Sequence, residues 1–132
     1  MQYLADLRPE VGLLPPAGTL ERFRVQEWLS FIGSELHKGL GALFNPAIGA
    51  EWKAAVLARV ARRFDFVNAE LEGRHYLTGS QYSVADAYLF TILRWTDFMH
   101  IDLSPWPALV ALRQRVAARP AVRQALQVEG LI

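Results

Sequence analysis

The residues best suited to chemistry lie on one long predicted helix, between residues 19 and about 43. Its polar side carries hydroxyl, carboxylate, imidazole and ammonium groups within about three turns, on Glu27, Ser30, Ser34, Glu35, His37 and Lys38. A histidine in such a set can change its charge near neutral pH. Phe23 and Phe31 fall on the same side. A purely solvated face rarely needs two phenylalanines, so this side is predicted to be a second contacted surface, either a binding site or an interface.

Composition excludes several other kinds of chemistry. The chain has no cysteine, which rules out disulfides, cysteine zinc sites and a cysteine nucleophile within it. The three histidines are far apart without ligand spacing, so we expect no metal site, and His75 and His100 fit loop or helix-end positions. A net charge of +1 points to neither nucleic acid nor an anionic membrane. The sequence shows no membrane-spanning run and no signal peptide, and a cytoplasmic location is predicted.

These side chains must be positioned by a bundle of helices. At 132 residues and 52% hydrophobic content, one domain with a real core is expected. In the first long helix the core stripe is predicted as Val25, Trp28, Leu29, Ile32, Leu36 and Leu40. In the second, from about 51 to 72, it is Leu57, Val60, Phe64, Val67 and Leu71, with Arg59, Arg62 and Arg63 solvated. Helices follow at about 83–100, 108–118 and 121–127. No β alternation is present, so the fold class is all-α, a bundle of five or six helices.

The helix that starts after Ser83 is predicted to be the centre of this bundle, because apolar residues lie almost all round it. Ser83 and Asp86 form a capping-box pair. The serine hydroxyl should accept from the N–H of Asp86, and the aspartate should accept from the N–H of Ser83. We assign both residues to folding rather than to chemistry.

The chain before this bundle reads differently. Residues 1–7 look like the tail of a helix, and residues 8–18 form a linker interrupted by prolines and glycines. We expect an exposed apolar surface around Tyr3, Leu4 and the Phe23/Phe31 side. Such a surface tends to be covered, so self-association, plausibly as a dimer, is predicted.

Several segments together resemble a known family. Residues 76–79 (Tyr-Leu-Thr-Gly) and 83–86 (Ser-Val-Ala-Asp) resemble the Leu-x-Gly … Ser/Thr-x-Ala-Asp signature of the C-terminal helical domain of glutathione transferases. Residues 35–39, 85–90 and 93–95 resemble the bacterial beta class of this family. Residues 119–122 and 129–131, near the C-terminus, are consistent with the same resemblance. The resemblance covers essentially the whole chain. It implies that residues 1–18 are a remnant of the inter-domain helix and linker, and residues 19–132 the helical domain.

The resemblance also implies roles for the polar side of the first long helix. His37 would donate a hydrogen bond toward the sulfur of glutathione or toward the neighbouring electrophile, and so favour the thiolate. The implied glutathione contacts are Ser30, Ser34, Glu35, Leu36 and His37, partly across a homodimer interface. The implied electrophile pocket is Phe31, Lys38 and Trp95. Glutathione would be a co-substrate with a hydrophobic electrophile, and no tightly bound cofactor is implied. The plainer alternatives are a surface histidine for His37, simple surface polarity for Ser34 and core packing for Trp95.

One departure from the family leaves two functions open. The thioredoxin-like domain that binds most of glutathione and the active-site cysteine of the beta class are both absent from this sequence. The chain is therefore expected to be a fragment or a truncated protein, inactive in conjugation by itself. It is either the electrophile-site domain of a glutathione transferase or a non-catalytic helical module that binds a partner or a ligand.

Overall fold

The chain folds entirely from helices and their connections. The structure is a computed structural model that describes residues 1–132. Its helices are α1 (Gln2–Asp6), α2 (Leu20–Phe31), α3 (Lys38–Gly41), α4 (Ala50–Leu71), α5 (Val84–Phe98), α6 (Pro107–Ala117) and α7 (Pro120–Val128). A π-helical segment, Ile32–His37, joins α2 to α3, and short 3₁₀ turns span Pro9–Val11 and Ala42–Phe44. The all-α prediction is confirmed.

The first long helix contains a π-helical segment that sequence reasoning missed. It begins as predicted, with the Thr19 side chain accepting from the N–H of Arg22. In the π segment the N–H of Lys38 donates to the carbonyl of Gly33, five residues earlier. The buried residues ahead of and through this segment advance in steps of four, at Trp28, Ile32, Leu36 and Leu40. In an α-helix each such step overshoots a full turn by about 40°, and the wider π turn returns these side chains to the core.

Helix α5 lies at the centre of the bundle, as predicted. It packs against α2, the π segment and α6, and Leu89, Ile92 and Leu93 are fully buried. The stripe of α4 needs one correction, because Val56 is buried and Leu57 only half-buried. The buried residues of α4 are therefore Val56, Val60, Phe64, Val67 and Leu71.

The predicted capping box fixes the start of α5. Asp86 Oδ2 accepts from the N–H of Ser83 at 2.8 Å and from its hydroxyl at 2.9 Å, and the hydroxyl oxygen caps the first turn. An additional bond was not predicted: Asp86 Oδ1 accepts from the N–H of Leu77 at 2.8 Å. Burial raises the pKa of Asp86, and these hydrogen bonds oppose the rise. The box ties the preceding loop to α5 and so sets the direction of that helix.

Residues 1–18 pack onto the bundle. Asp6 accepts two hydrogen bonds from the guanidinium of Arg22, at 2.7 and 2.8 Å, and these bonds lower the pKa of Asp6. In the linker Leu14 is buried, and the carbonyl of Leu13 accepts from the N–H that opens α5. Other side chains remain exposed. The N-terminal apolar face, defined as Tyr3, Leu4 and Phe23, is 73%, 67% and 58% exposed.

Candidate functional site

The most distinctive side-chain cluster surrounds His37, the last residue of the π segment. Its Nδ1 lies 2.6 Å from the hydroxyl of Tyr88. Its ring meets the ring of Trp95 edge to face, with centroids 4.8 Å apart, and Trp95 meets Phe44 in the same way at 5.1 Å. Tyr88 and Trp95 are seven residues apart on α5, about two turns, and so share one face. We call His37, Tyr88, Trp95 and Phe44 the imidazole site.

The imidazole site combines one adaptable proton donor and acceptor with aromatic walls. Burial raises the pKa of the Tyr88 phenol, so the phenol stays neutral at physiological pH. Because Nδ1 of His37 faces this phenol, Nε2 is the ring nitrogen left for a ligand. His37 is exposed and Trp95 only partly buried, so both can meet a ligand. The arrangement suits a polar atom, such as a sulfur, next to an apolar group.

Glu35, also in the π segment, is held by α4. Its Oε2 accepts from Arg63 at 2.6 Å and from Arg59 at 3.5 Å. The hydrogen bond from Arg63 is the main reason why the pKa of Glu35 is lowered. This pairing corrects the expectation that Arg59 and Arg63 are simply solvated, because opposite charges on the two helices attract. Both bonds end on one carboxylate oxygen.

The other predicted contacts differ in accessibility. Ser30, Ser34 and Lys38 are exposed and available to a ligand. Leu36 has no accessible surface and belongs to the core, so its place among the glutathione contacts is corrected. The predicted glutathione contacts included both accessible residues and the buried Leu36, since consecutive residues of a helix point in different directions.

Phe31 lies in a different groove, between α2 and α4, with a volume of about 720 Å³. Its ring packs 5.8 Å from Trp28 and 5.2 Å from Phe66. Charged side chains also line this groove, namely Glu21, Arg24, Glu27, Glu70 and Arg74. The structure therefore does not bring Phe31 together with Trp95, as one electrophile pocket would require. It does support the expectation that the Phe31 side of the helix is a second contacted surface.

Sequence reasoning missed two residues of the imidazole site, Phe44 and Tyr88. Tyr88 appeared only as part of a family motif, although its spacing to Trp95 places both on one helix face. The described chain contains no group of three or more His, Asp or Glu able to hold a metal ion. None of its helices has the length and hydrophobicity needed to cross a bilayer.

Comparison with known proteins identifies a family model that matches most of the chain. The model for the glutathione S-transferase C-terminal domain matches residues 31–120. The glutathione S-transferase GstA of Escherichia coli O157:H7 is 42% identical over 131 residues, which cover 99% of this chain and 65% of GstA. The chain thus spans slightly less than two thirds of that relative.

Solved structures show the same relationship. A sphingomonad glutathione S-transferase complexed with glutathione superimposes with a TM-score of 0.93 at 44% identity. A bacterial beta class glutathione S-transferase from Sphingomonas chungbukensis gives a TM-score of 0.93 at 43% identity. Each match covers 99% of this chain and 65% of the solved chain.

Proposed function

Since the chain belongs to the glutathione S-transferase family, as its C-terminal domain, we propose that it forms the electrophile-binding part of an enzyme that conjugates glutathione to hydrophobic electrophiles. The observation that carries the proposal is the imidazole site, in which His37 stands beside aromatic walls with Nδ1 bound to Tyr88. The sphingomonad relative complexed with glutathione supports glutathione as the co-substrate.

The chemistry assigned to the site is stabilisation of a thiolate. A hydrogen bond from Nε2 of His37 favours the charged sulfur once the thiol proton has passed to water. The thiolate then forms the carbon–sulfur bond at the electrophilic carbon of the second substrate while the leaving group on that carbon departs with its electron pair. Trp95 and Phe44 provide the apolar surface for that substrate. Ser30 and Ser34 are exposed polar groups for the remainder of glutathione, and the exposed Lys38 stays with the electrophile.

Glu35 has a more restricted part in this proposal. Its Oε2 already accepts from Arg63 and Arg59. A ligand amino group would therefore have to donate to Oε1 or compete with the arginines for Oε2. A homodimer and a cytoplasmic location belong to the same proposal. The exposed N-terminal apolar face supports association with another domain or subunit.

A chimera tests the activity. The part of E. coli GstA that precedes the matched segment would be joined to this chain, and conjugation of a nitroaromatic electrophile measured. We expect turnover from the chimera and none above background from the isolated chain, because most glutathione contacts are then missing and the thiol is not positioned.

The histidine is tested in the same chimera. His37→Ala should lower turnover by about tenfold or more, since a hydrogen bond to a charged group is worth about 1.5–3 kcal/mol. His75→Ala, which changes an exposed loop histidine, is the matched control and should leave turnover unchanged. A folded chimera with no activity, or equal effects of the two substitutions, would contradict the proposal.

The groove beside Phe31 favours a second candidate, a non-catalytic module that holds a ligand or a partner. Its three mutually packed aromatic rings and charged lining resemble a recognition surface more than a reaction centre. Glutathione titrated into the isolated chain while the NMR spectrum is recorded discriminates the two. Shifts confined to Trp28 and Phe66, with His37 unaffected in both chain and chimera, would favour the module.

A further inference from the structure

We propose that Tyr88 is a positioning residue: through its hydroxyl it holds the His37 imidazole in one orientation and in the tautomer that carries the proton on Nε2. This inference deepens the proposed function and rests on it for its catalytic consequence. The orientation and the tautomer of His37 are properties of this chain alone and do not depend on the proposed function. No other polar side chain is bonded to the imidazole, whose second neighbour is the Trp95 ring.

The contact geometry carries the argument. His37 is exposed, and an exposed imidazole ordinarily samples several rotamers. Here the 2.6 Å contact between Nδ1 and Tyr88 Oη restrains one side of the ring, and the Trp95 ring restrains another. Tyr88 itself is firmly placed, because α5 is the central helix of the bundle. Its hydroxyl lies over Gly33 of the π segment, where a Cβ would sit 3.7 Å away, an ordinary packing distance.

The direction of the hydrogen bond follows from the chemistry of the two groups. A phenol donates more strongly than it accepts, because its lone pair is delocalised into the ring. Neutral imidazole offers one nitrogen that accepts and one that donates. With Tyr88 donating to Nδ1, the proton of neutral His37 must be on Nε2. Nε2 is the nitrogen available to a ligand, so it can donate toward a sulfur.

The isolated chain provides the first test. Ring ¹⁵N shifts of the three histidines would be measured by NMR above neutral pH, with His37 identified by its loss in His37→Ala. We expect wild-type His37 to be mainly the Nε2–H tautomer. Tyr88→Phe should reduce the ratio of the Nε2–H to the Nδ1–H form about three- to tenfold, the effect of one neutral hydrogen bond.

A matched control separates the hydroxyl from general perturbation. Tyr82→Phe also removes a hydroxyl from a half-buried tyrosine. The Tyr82 ring packs against Tyr76 and Arg119 rather than beside His37. It should leave the His37 tautomer ratio unchanged. An unchanged ratio in folded Tyr88→Phe would overturn the proposal. So would a wild-type His37 that is mainly the Nδ1–H form, a result that needs no variant to fold.

The chimera tests the catalytic consequence. Tyr88→Phe should lower kcat about three- to tenfold and change the KM for glutathione by less than about twofold. In a His37→Ala background the same change should have no further effect, because Tyr88 acts through His37. Additive losses would overturn the positioning role. An inactive parent chimera would instead refute the proposed function, while the tautomer ratios would still decide whether Tyr88 controls His37.

Discussion

Replacing Asp86 by alanine should damage the fold far more than an ordinary helix-cap mutation. The Asp86 side chain is fully buried and accepts three hydrogen bonds: from the N–H of Leu77, the N–H of Ser83 and the Ser83 hydroxyl. Alanine removes both acceptor oxygens and so all three hydrogen bonds. The hydroxyl can rotate toward another partner, but the two backbone N–H groups are fixed by the loop and by the start of α5.

The expected loss follows from these two stranded donors. A buried donor without an acceptor costs about 1–3 kcal/mol, so two of them cost about 2–6 kcal/mol. Removing a carboxylate whose pKa is raised by burial returns part of this amount. We therefore expect the free energy of unfolding to fall by about 3 kcal/mol, against a typical total of about 5–15 kcal/mol. The melting temperature should fall by about 10 °C.

Urea denaturation followed by tryptophan fluorescence and circular dichroism measures this loss. Asp102→Ala is the matched control, because Asp102 also accepts from a backbone N–H and a hydroxyl, both of Ser104, but at the surface. It should cost no more than about 0.5 kcal/mol. In the chimera, activity per folded molecule of Asp86→Ala should be unchanged. Equal losses for the two variants, or an unchanged melting temperature with glutathione binding abolished, would refute the assignment of Asp86 to folding.

Three further predictions concern packing and charge. Arg63→Gln removes the hydrogen bond that lowers the pKa of Glu35, and should lower the melting temperature at pH 7. The stabilisation from this bond is present above pH 4.5, the ordinary pKa of Glu, and is lost as pH falls through the lowered pKa of the folded state. The difference in melting temperature between variant and wild type should therefore shrink in acid. A deficit independent of pH would contradict this. Gly39→Ala places a Cβ 3.2 Å from Cγ2 of buried Val60 and should lower the free energy of unfolding by about 1 kcal/mol, measured by denaturation. Gly41→Ala meets nothing within 4 Å and should raise the free energy of unfolding by up to about 1 kcal/mol. Equal effects of the two substitutions would refute the close contact at Gly39. The isolated chain should self-associate through its N-terminal apolar face, and a strict monomer in concentrated sedimentation runs would contradict that.

Much of the fold was predictable because its signals are local. Thr19 and Ser83 mark helix starts through their own side chains. The spacing of apolar residues identifies most of the packed faces of α2 and α4. The π segment was missed because its hydrogen bonds are made by the backbone and leave no residue-type signature. The steps of four from Trp28 to Leu40 were the available signal. Val56 replaced Leu57 because two adjacent apolar residues compete for one edge of the stripe.

The site was less predictable because its parts come from distant segments. His37 and Trp95 were both named from the sequence, but only the packing of α5 against the π segment shows that their rings touch and that Tyr88 binds the imidazole. The Glu35–Arg63 pair likewise joins two helices. The family resemblance implied that Phe31 shares an apolar pocket with Trp95. In the folded chain its ring packs against α4 instead.

The π segment gives this helix one residue more than an α-helix with the same packed face would need. Removing the exposed Ser34 would let the segment return to α winding. The steps between the buried Trp28, Ile32, Leu36 and Leu40 would then be four, three and four, which is the spacing of a regular α-helical stripe. The core and the imidazole would therefore keep their faces, and the shortened chain should still fold. Removing one residue from the middle of α4, which contains no such segment, would instead rotate every later residue of that helix by about 100°.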